Sequence, residues 1–168
     1  MDELFKKITS YNILNYLLPG VLFAFFVTEL TPYSLVQEDW IQGVFFYYFL
    51  GMVVSHIGSV LLAPIMRVTR LAPQEPYEDY LTAVKKDEVI PILAQERGTI
   101  RSFLTAALLI IAIKAYSEEP FLSGTSEIYA VFAILGLIFL LAYRRQTSFI
   151  SKRVTYSKKL KDKDDVLK

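Results

Sequence analysis

Polar side chains inside apolar stretches are the first candidates for chemistry in this sequence. Asn15 and His56 each lie in such a stretch, roughly 10–12 Å along a helix from one end of it. At matching depth, the amide and the imidazole could hydrogen-bond between two helices and specify how they pack. The alternatives are a pore lining or pH-sensitive gate, or a catalytic role. The residues assigned to a pore or a helix interface are Asn12, Asn15, Ser55, His56 and Ser59.

Small and helix-breaking residues accompany these polar groups. Pro19 and Gly20 weaken the helix at that point, because Pro removes a backbone hydrogen bond and Gly adds conformational freedom. They predict either a hinge or a static kink that improves packing. The second apolar stretch carries small residues spaced four apart, namely Gly51, Ser55, Ser59 and Ala63. This spacing permits close helix approach, either within one chain or between subunits.

Phosphate binding is the second chemistry that the sequence supports. Six cationic residues are expected near one membrane surface: Arg97, Arg101, Arg144, Arg145, Lys152 and Arg153. Anionic lipid headgroups are one partner for such a surface. The other is a nucleotide or short oligonucleotide, whose phosphates Arg binds bidentately and whose bases could stack on tyrosines such as Tyr77, Tyr80 and Tyr156. This second partner requires several copies of the surface to converge, as in a ring of subunits.

Residue types exclude several other kinds of site. The chain has no Cys and one His, which excludes disulfides, thiolate zinc sites, cysteine nucleophiles and His-rich metal sites. It contains no Gly-rich phosphate loop and no H-E-x-x-H or G-x-S-x-G motif. We therefore expect no catalytic residue, no cofactor, no metal ion and no enzyme activity.

Four apolar stretches must position these residues: 11–30, 41–65, 100–116 and 128–143. A helix needs about 20 residues to cross the hydrocarbon core, so the last two must continue into their flanks. The runs FFYYFLGMVV and AILGLIFLLAY show no polar face at the helical period, and 54% of the chain is hydrophobic. The predicted fold is an all-α integral membrane protein. Its four transmembrane helices would form two antiparallel hairpins in a single membrane domain over 1–168.

The placement of charge predicts the orientation of these helices. The net charge is only +1, but 17 of the 18 Lys and Arg residues fall on one side of the predicted bilayer, Lys114 being the exception. The two connections on the other side carry acidic residues and no Lys or Arg within them. By the positive-inside rule, both termini and segment 66–99 face the cytoplasm.

Segment 66–99 and the tail 144–168 are the predicted cytoplasmic parts. Pro76 followed by acidic residues is typical of a helix start, and Pro91 predicts an interruption. A second helix from about Ile92 is expected to run into the third span. The tail is predicted to extend the fourth helix as a basic helix.

Four parts of the chain resemble small four-span membrane proteins of bacterial phage-defence systems. They are TSYNILNYLLPG at 9–20, PYEDYL at 76–81 with KKD at 85–87, ERGTIRSF at 96–103 and YRRQT at 143–147. The resemblance extends over nearly the whole chain. It implies a location in the bacterial inner membrane and one of two roles, a Hailong-type channel effector or a Kiwa-type membrane component. The first is held shut by DNA oligomers from a partner nucleotidyltransferase, and the second senses phage attack with a soluble DNA-binding partner.

Three hypotheses about function follow. The first is an antiphage effector that forms a homo-oligomeric ion-conducting pore, with a tetramer as the favoured size, gated through its basic face by a nucleotide or oligonucleotide. The second is a membrane sensor or anchor that recruits a soluble DNA-binding partner through 66–99 and the tail. The third is a small multidrug-type transporter, whose acidic residue would be Glu29 at the outer end of the first span.

Overall fold

The computed structural model describes residues 13–73, 75–117 and 126–166. These ranges are mostly helical and contain no strand. The helices are α1 (Leu18–Leu30), α2 (Trp40–Ile57), α3 (Ala63–Val68), α4 (Tyr77–Val84), α5 (Val89–Ser117) and α6 (Ser126–Val166). Two π-helical segments are also present, Ile13–Leu17 before α1 and Gly58–Leu62 between α2 and α3. The predicted all-helical class is confirmed.

Three helical stretches are long and apolar enough to cross a membrane. Trp40–Val68 and Val89–Ser117 have 29 residues each, and Glu127–Lys159 has 33. Each exceeds the length of about 20 residues that a bilayer requires. A shorter apolar helix covers Asn15–Leu30. The arrangement of four spans in two hairpins stays a prediction.

The third and fourth helices extend beyond the bounds predicted for the spans. α5 begins at Val89 rather than near Ile92, so the interruption predicted at Pro91 is wrong. Pro91 lies in the first turn, where the missing N–H has no helical partner to lose. α6 continues from the apolar stretch through the tail to Val166, as predicted. Asn12 and residues 167–168 lie outside the described residues.

Three apolar clusters follow the bundle from one end to the other. The first joins α1, α2, α5 and α6 through Phe23, Val27, Val54, Ile110 and Phe132. The second joins α3 to α5 and α6 through Met66, Leu104 and Tyr143. The third joins α4 and the start of α5 to the tail through Ala83, Ile90, Ile150 and Val154. Segment 66–99 and residues 144–159 therefore pack together at one end of the bundle, which we call the basic end.

α1 and α2 cross with their backbones in direct contact. A Cβ added at Gly20 would collide with the carbonyl oxygen of Tyr47, and one added at Gly51 would collide with that of Tyr16. Both glycines are buried, as is Pro19. Because a hinge motion at Pro19 and Gly20 would have to separate these two backbones, the contact favours the static kink over the hinge.

Candidate functional site

Asn15 forms a polar bridge between the first and third apolar helices. Its side chain is 2% exposed, and that of Ser102 on α5 is 0% exposed. The Ser102 Oγ lies 3.3 Å from Asn15 Oδ1 and 3.1 Å from the carbonyl oxygen of Gly98, so its single proton is shared between two acceptors. Such a bridge between apolar helices contributes on the order of 1 kcal/mol and fixes which faces meet.

The hydrogen bond predicted between Asn15 and His56 is therefore wrong. His56 is exposed on the outward side of α2, and its Nδ1 lies 2.7 Å from the carbonyl oxygen of Met52, one turn earlier. A carbonyl oxygen can only accept, so Nδ1 carries the proton. In the neutral ring, Nε2 is then left as an acceptor on the outward side.

The five residues assigned to a pore or helix interface separate into two groups. Asn15 and Ser55 are buried inside the bundle, whereas His56 and Ser59 are exposed on its outside. Ser59 donates to the carbonyl oxygen of Ser55 at 3.1 Å. Asn12, the fifth, lies outside the described residues. The four described residues thus lie at two separate polar positions rather than along one continuous polar path.

Arg101 lies deeper in the bundle than a surface cation would. Its side chain passes over Gly58, beside the Thr105 hydroxyl, and the residue is only partly exposed. The Nε atom is buried without a hydrogen-bond partner in the described part of the chain. Arg97, one turn earlier on α5, is also partly exposed. Arg101 therefore packs between α5 and the second apolar helix and belongs to a different environment from the tail cations.

Carboxylates of segment 75–96 hold the tail at four positions. Arg153 donates to Asp87 at 2.6 Å, and Lys158 lies 3.0 Å from Asp79. Two further contacts join Gln146 to Glu96 at 2.7 Å and Ser151 to Glu75. Arg153, one of the six cations expected to share a phosphate-binding surface, is thus 45% exposed but already paired with a carboxylate of its own chain.

The free side of the tail carries alternating basic and aromatic residues. These are Arg145, Phe149, Lys152, Tyr156 and Lys159, all exposed, and we call them the exposed stripe. Their spacing of four, three, four and three residues puts them on one face of α6. The Arg145 guanidinium lies over the Phe149 ring, 5.4 Å from its centre, in a cation–π contact. Arg144 is exposed next to this stripe.

Phe149 and Lys159 were not among the predicted site residues. The signal that would have found them is the alternation of charge and aromatic ring at seven-residue intervals, out of phase with the buried Ile150 and Val154.

Glu29 is exposed at the end of α1, as its position in the sequence suggests. Among the described residues, no group of three His, Asp or Glu side chains could hold a metal ion.

Comparison with protein-family models, curated proteins and solved structures gives no match to this chain. Function is therefore inferred from two surfaces that the structure describes. One is the outward side of α2 around His56, and the other is the exposed stripe on α6.

Proposed function

We propose that this chain is the membrane effector of a phage-defence system, in which several copies form an ion-conducting pore gated through the basic end. The observation that carries the proposal is the continuity of α6. One unbroken helix contains both an apolar stretch long enough to cross a bilayer and the exposed stripe. A ligand bound to the stripe would act directly on a membrane-spanning segment, with no flexible joint between them.

The geometry of α6 favours a soluble ligand over lipid headgroups for most of the stripe. If the bilayer ends near Tyr143, Lys152 and Lys159 lie roughly 13 Å and 24 Å beyond it along the helix. Lipid phosphates can then reach Arg144 and Arg145 but not the end of the stripe. A nucleotide or short oligonucleotide fits the remainder, because basic groups bind its phosphates and aromatic rings stack with its bases.

The docking of the tail supports a role for the stripe in gating. Ile150 and Val154 are buried against α4 and the start of α5, so the opposite face of the tail is fixed in orientation. Arg153 and Lys158 are engaged by Asp87 and Asp79, so they do not compete for a ligand on the free side. A polyanion can thus bind the stripe without displacing these two ion pairs.

Ion flux from liposomes tests this proposal. The full chain would be reconstituted and flux followed with and without a short single-stranded DNA of mixed sequence, with DNA binding measured in parallel. We expect the DNA to change the flux. The double variant Lys152→Gln, Lys159→Gln should bind DNA about ten-fold more weakly, since each phosphate contact contributes salt-dependent affinity.

The matched control is Lys85→Gln with Lys86→Gln, which removes two exposed lysines from the other part of the basic end. This control should bind DNA almost as well as the unaltered chain. Equal losses in both double variants would show only a general charge effect and would contradict a site on the stripe. Liposomes that remain tight in every ligand state would contradict the pore.

A second function is supported by the outward side of α4. Tyr77 is 71% exposed and Leu81, one turn later, is 43% exposed, which leaves an apolar surface on the basic end. We infer from it the alternative that the chain anchors a soluble defence partner at the membrane. A pull-down with Tyr77→Ser, Leu81→Ser tests it: retained partner binding in this variant would count against the alternative.

A further inference from the structure

His56 and Ser59 break the pattern of exposure in the predicted spans. Within 11–30, 41–65, 100–116 and 128–143, every other exposed polar side chain among the described residues lies within two residues of a span end. His56 lies roughly 24 Å along the helix from Trp40 and roughly 16 Å from Arg67. Both distances place the imidazole well inside a hydrocarbon core about 30 Å thick.

The described surroundings of His56 provide no hydrogen-bond donor to Nε2, the nitrogen on its outward side. The ring borders an open groove of about 560 Å³ on the outside of the second apolar helix. The groove is lined by Met52, Val53, His56, Ile57, Val60 and Leu61. Because Nδ1 donates to the Met52 carbonyl, Nε2 remains an acceptor, and in the described part of the chain no donor is recorded for it. An unpaired polar group facing lipid is costly.

We propose that this face binds the same face of a second copy of the chain, so that His56 is completed by groups from its neighbour. The inference rests on the membrane arrangement of the proposed function. Copies inserted in one orientation are related by an axis along the bilayer normal, so they meet at equal depth. At the depth of His56, the described surface of the chain offers exposed polar groups on this face alone. A second copy therefore supplies the polar groups that neither lipid nor the other described faces of the chain offer at this depth.

The contact would bring the imidazoles towards the symmetry axis. Ser59 lies one turn from His56 on the same helix and has a hydroxyl within reach of a neighbour at nearly the same depth, an offset of about 4.5 Å. That hydroxyl can donate to Nε2 across the contact in place of its present bond to the Ser55 carbonyl. Such a pair places polar groups on both sides of the two-fold axis, while Asn15 and Ser102 remain inside each subunit.

Cysteine cross-linking in membranes tests this interface, because the chain contains no Cys and each variant therefore has one thiol. We expect His56→Cys and Val60→Cys to form disulfide-linked dimers on mild oxidation. Val60 is 69% exposed on the same groove and leaves His56 in place, so it covers the case in which His56→Cys does not fold. The matched control is Ile138→Cys, 53% exposed on α6.

Ile138 lies at similar depth, since the adjacent Phe139 stacks on Phe103 two residues from Thr105, which faces Gly58. The proposal would be overturned if Ile138→Cys formed dimers at least as abundant as those of the groove variants. The absence of dimers from both groove variants would also overturn it. Flux through the unaltered chain separates the two proposals: flux without groove cross-linking overturns this interface alone. Groove cross-linking without flux leaves the interface standing and counts against the pore.

Discussion

The guanidinium of Arg153 lies 2.6 Å from the carboxylate of Asp87 and joins the tail to the turn between α4 and α5. This pair belongs to a set in which the carboxylates all come from segment 75–96 and their partners all come from α6. Buried Ile150 and Val154 lie between these polar contacts. The tail is therefore held by an apolar seam with ionic contacts along its edges.

Lowering the pH should loosen the tail. The Arg153 guanidinium and then the Val89 amide hydrogen-bond to the Asp87 carboxylate and lower its pKa. A carboxyl whose pKa is lower in the folded state stabilises it above the unfolded pKa, and that stability is lost as the pH falls through the folded pKa. The loss begins below pH of about 4 and amounts to less than about 1 kcal/mol, because the pair is partly exposed.

Hydrogen exchange of the tail amides near Val154, corrected for the intrinsic effect of pH, measures this loosening. Asp87→Asn should exchange faster than the unaltered chain at neutral pH and should show a smaller change on acidification. An unaltered pH dependence in Asp87→Asn would show that another group controls the docking of the tail.

Gly20→Ala should destabilise the bundle strongly. The new methyl group would collide with the Tyr47 carbonyl oxygen and with the backbone nitrogen of Gly51, and neither backbone can move alone. We expect a loss of about 1–3 kcal/mol, as for overpacking in other cores. Gly136→Ala is the matched control, since a Cβ there meets nothing within 4 Å, and it should gain up to about 1 kcal/mol from helix propensity. Thermal unfolding in detergent compares the two.

The Asn15–Ser102 bridge should appear as an energetic coupling. Asn15→Leu and Ser102→Ala are each expected to cost about 1 kcal/mol, and the double variant should cost less than the sum of the two. A double-mutant cycle on unfolding measures the coupling. The control cycle pairs Asn15→Leu with His56→Leu and should be additive, because the hydrogen bond that the described residues show for His56 is to Met52, one turn earlier on its own helix. Coupling in the control cycle would contradict the separation of these two polar positions.

Tyr143→Phe should preserve or raise stability. The ring is 1% exposed, and its hydroxyl is buried with no hydrogen-bond partner in the part of the chain that the structure describes. Removing an unpaired buried hydroxyl relieves a penalty of about 1–3 kcal/mol at most. Tyr156→Phe is the control, since that residue is 66% exposed and should show no change. A marked loss of stability in Tyr143→Phe would reveal a partner for the hydroxyl.

The sequence predicted the helices better than the directions of their side chains. Runs of apolar residues determine where helices form, whereas the depths of Asn15 and His56 in a bilayer stay predictions from counting residues. The direction in which each side chain points did not follow from the sequence. It depends on the rotation of α2 about its axis, which the contact between Gly20 and Gly51 sets. Gly51 and Ser55 are one turn apart and both face inward, whereas His56 is one residue further round the helix and faces outward.

The cation set shows the same limit. The sequence predicted a shared surface for six cations, whereas the structure places Arg101 beside Gly58 between two helices and pairs Arg153 with Asp87. Their availability depends on partners far away in the chain: Asp87 is 66 residues from Arg153. Arg101 is drawn between helices because Gly58 leaves space for it. Such long-range pairings depend on how α4 docks on the tail, which no local pattern of residues specifies.

The unbroken course of α6 also gives it mechanical leverage. Its 41 residues extend for roughly 60 Å, about twice the thickness of the hydrocarbon core. A tilt of about ten degrees pivoting at Tyr143 displaces Lys159, roughly 24 Å away along the helix, by about 4 Å. Under the proposed function, a force at the far end of the tail would therefore exert a torque on the part of α6 that crosses the bilayer.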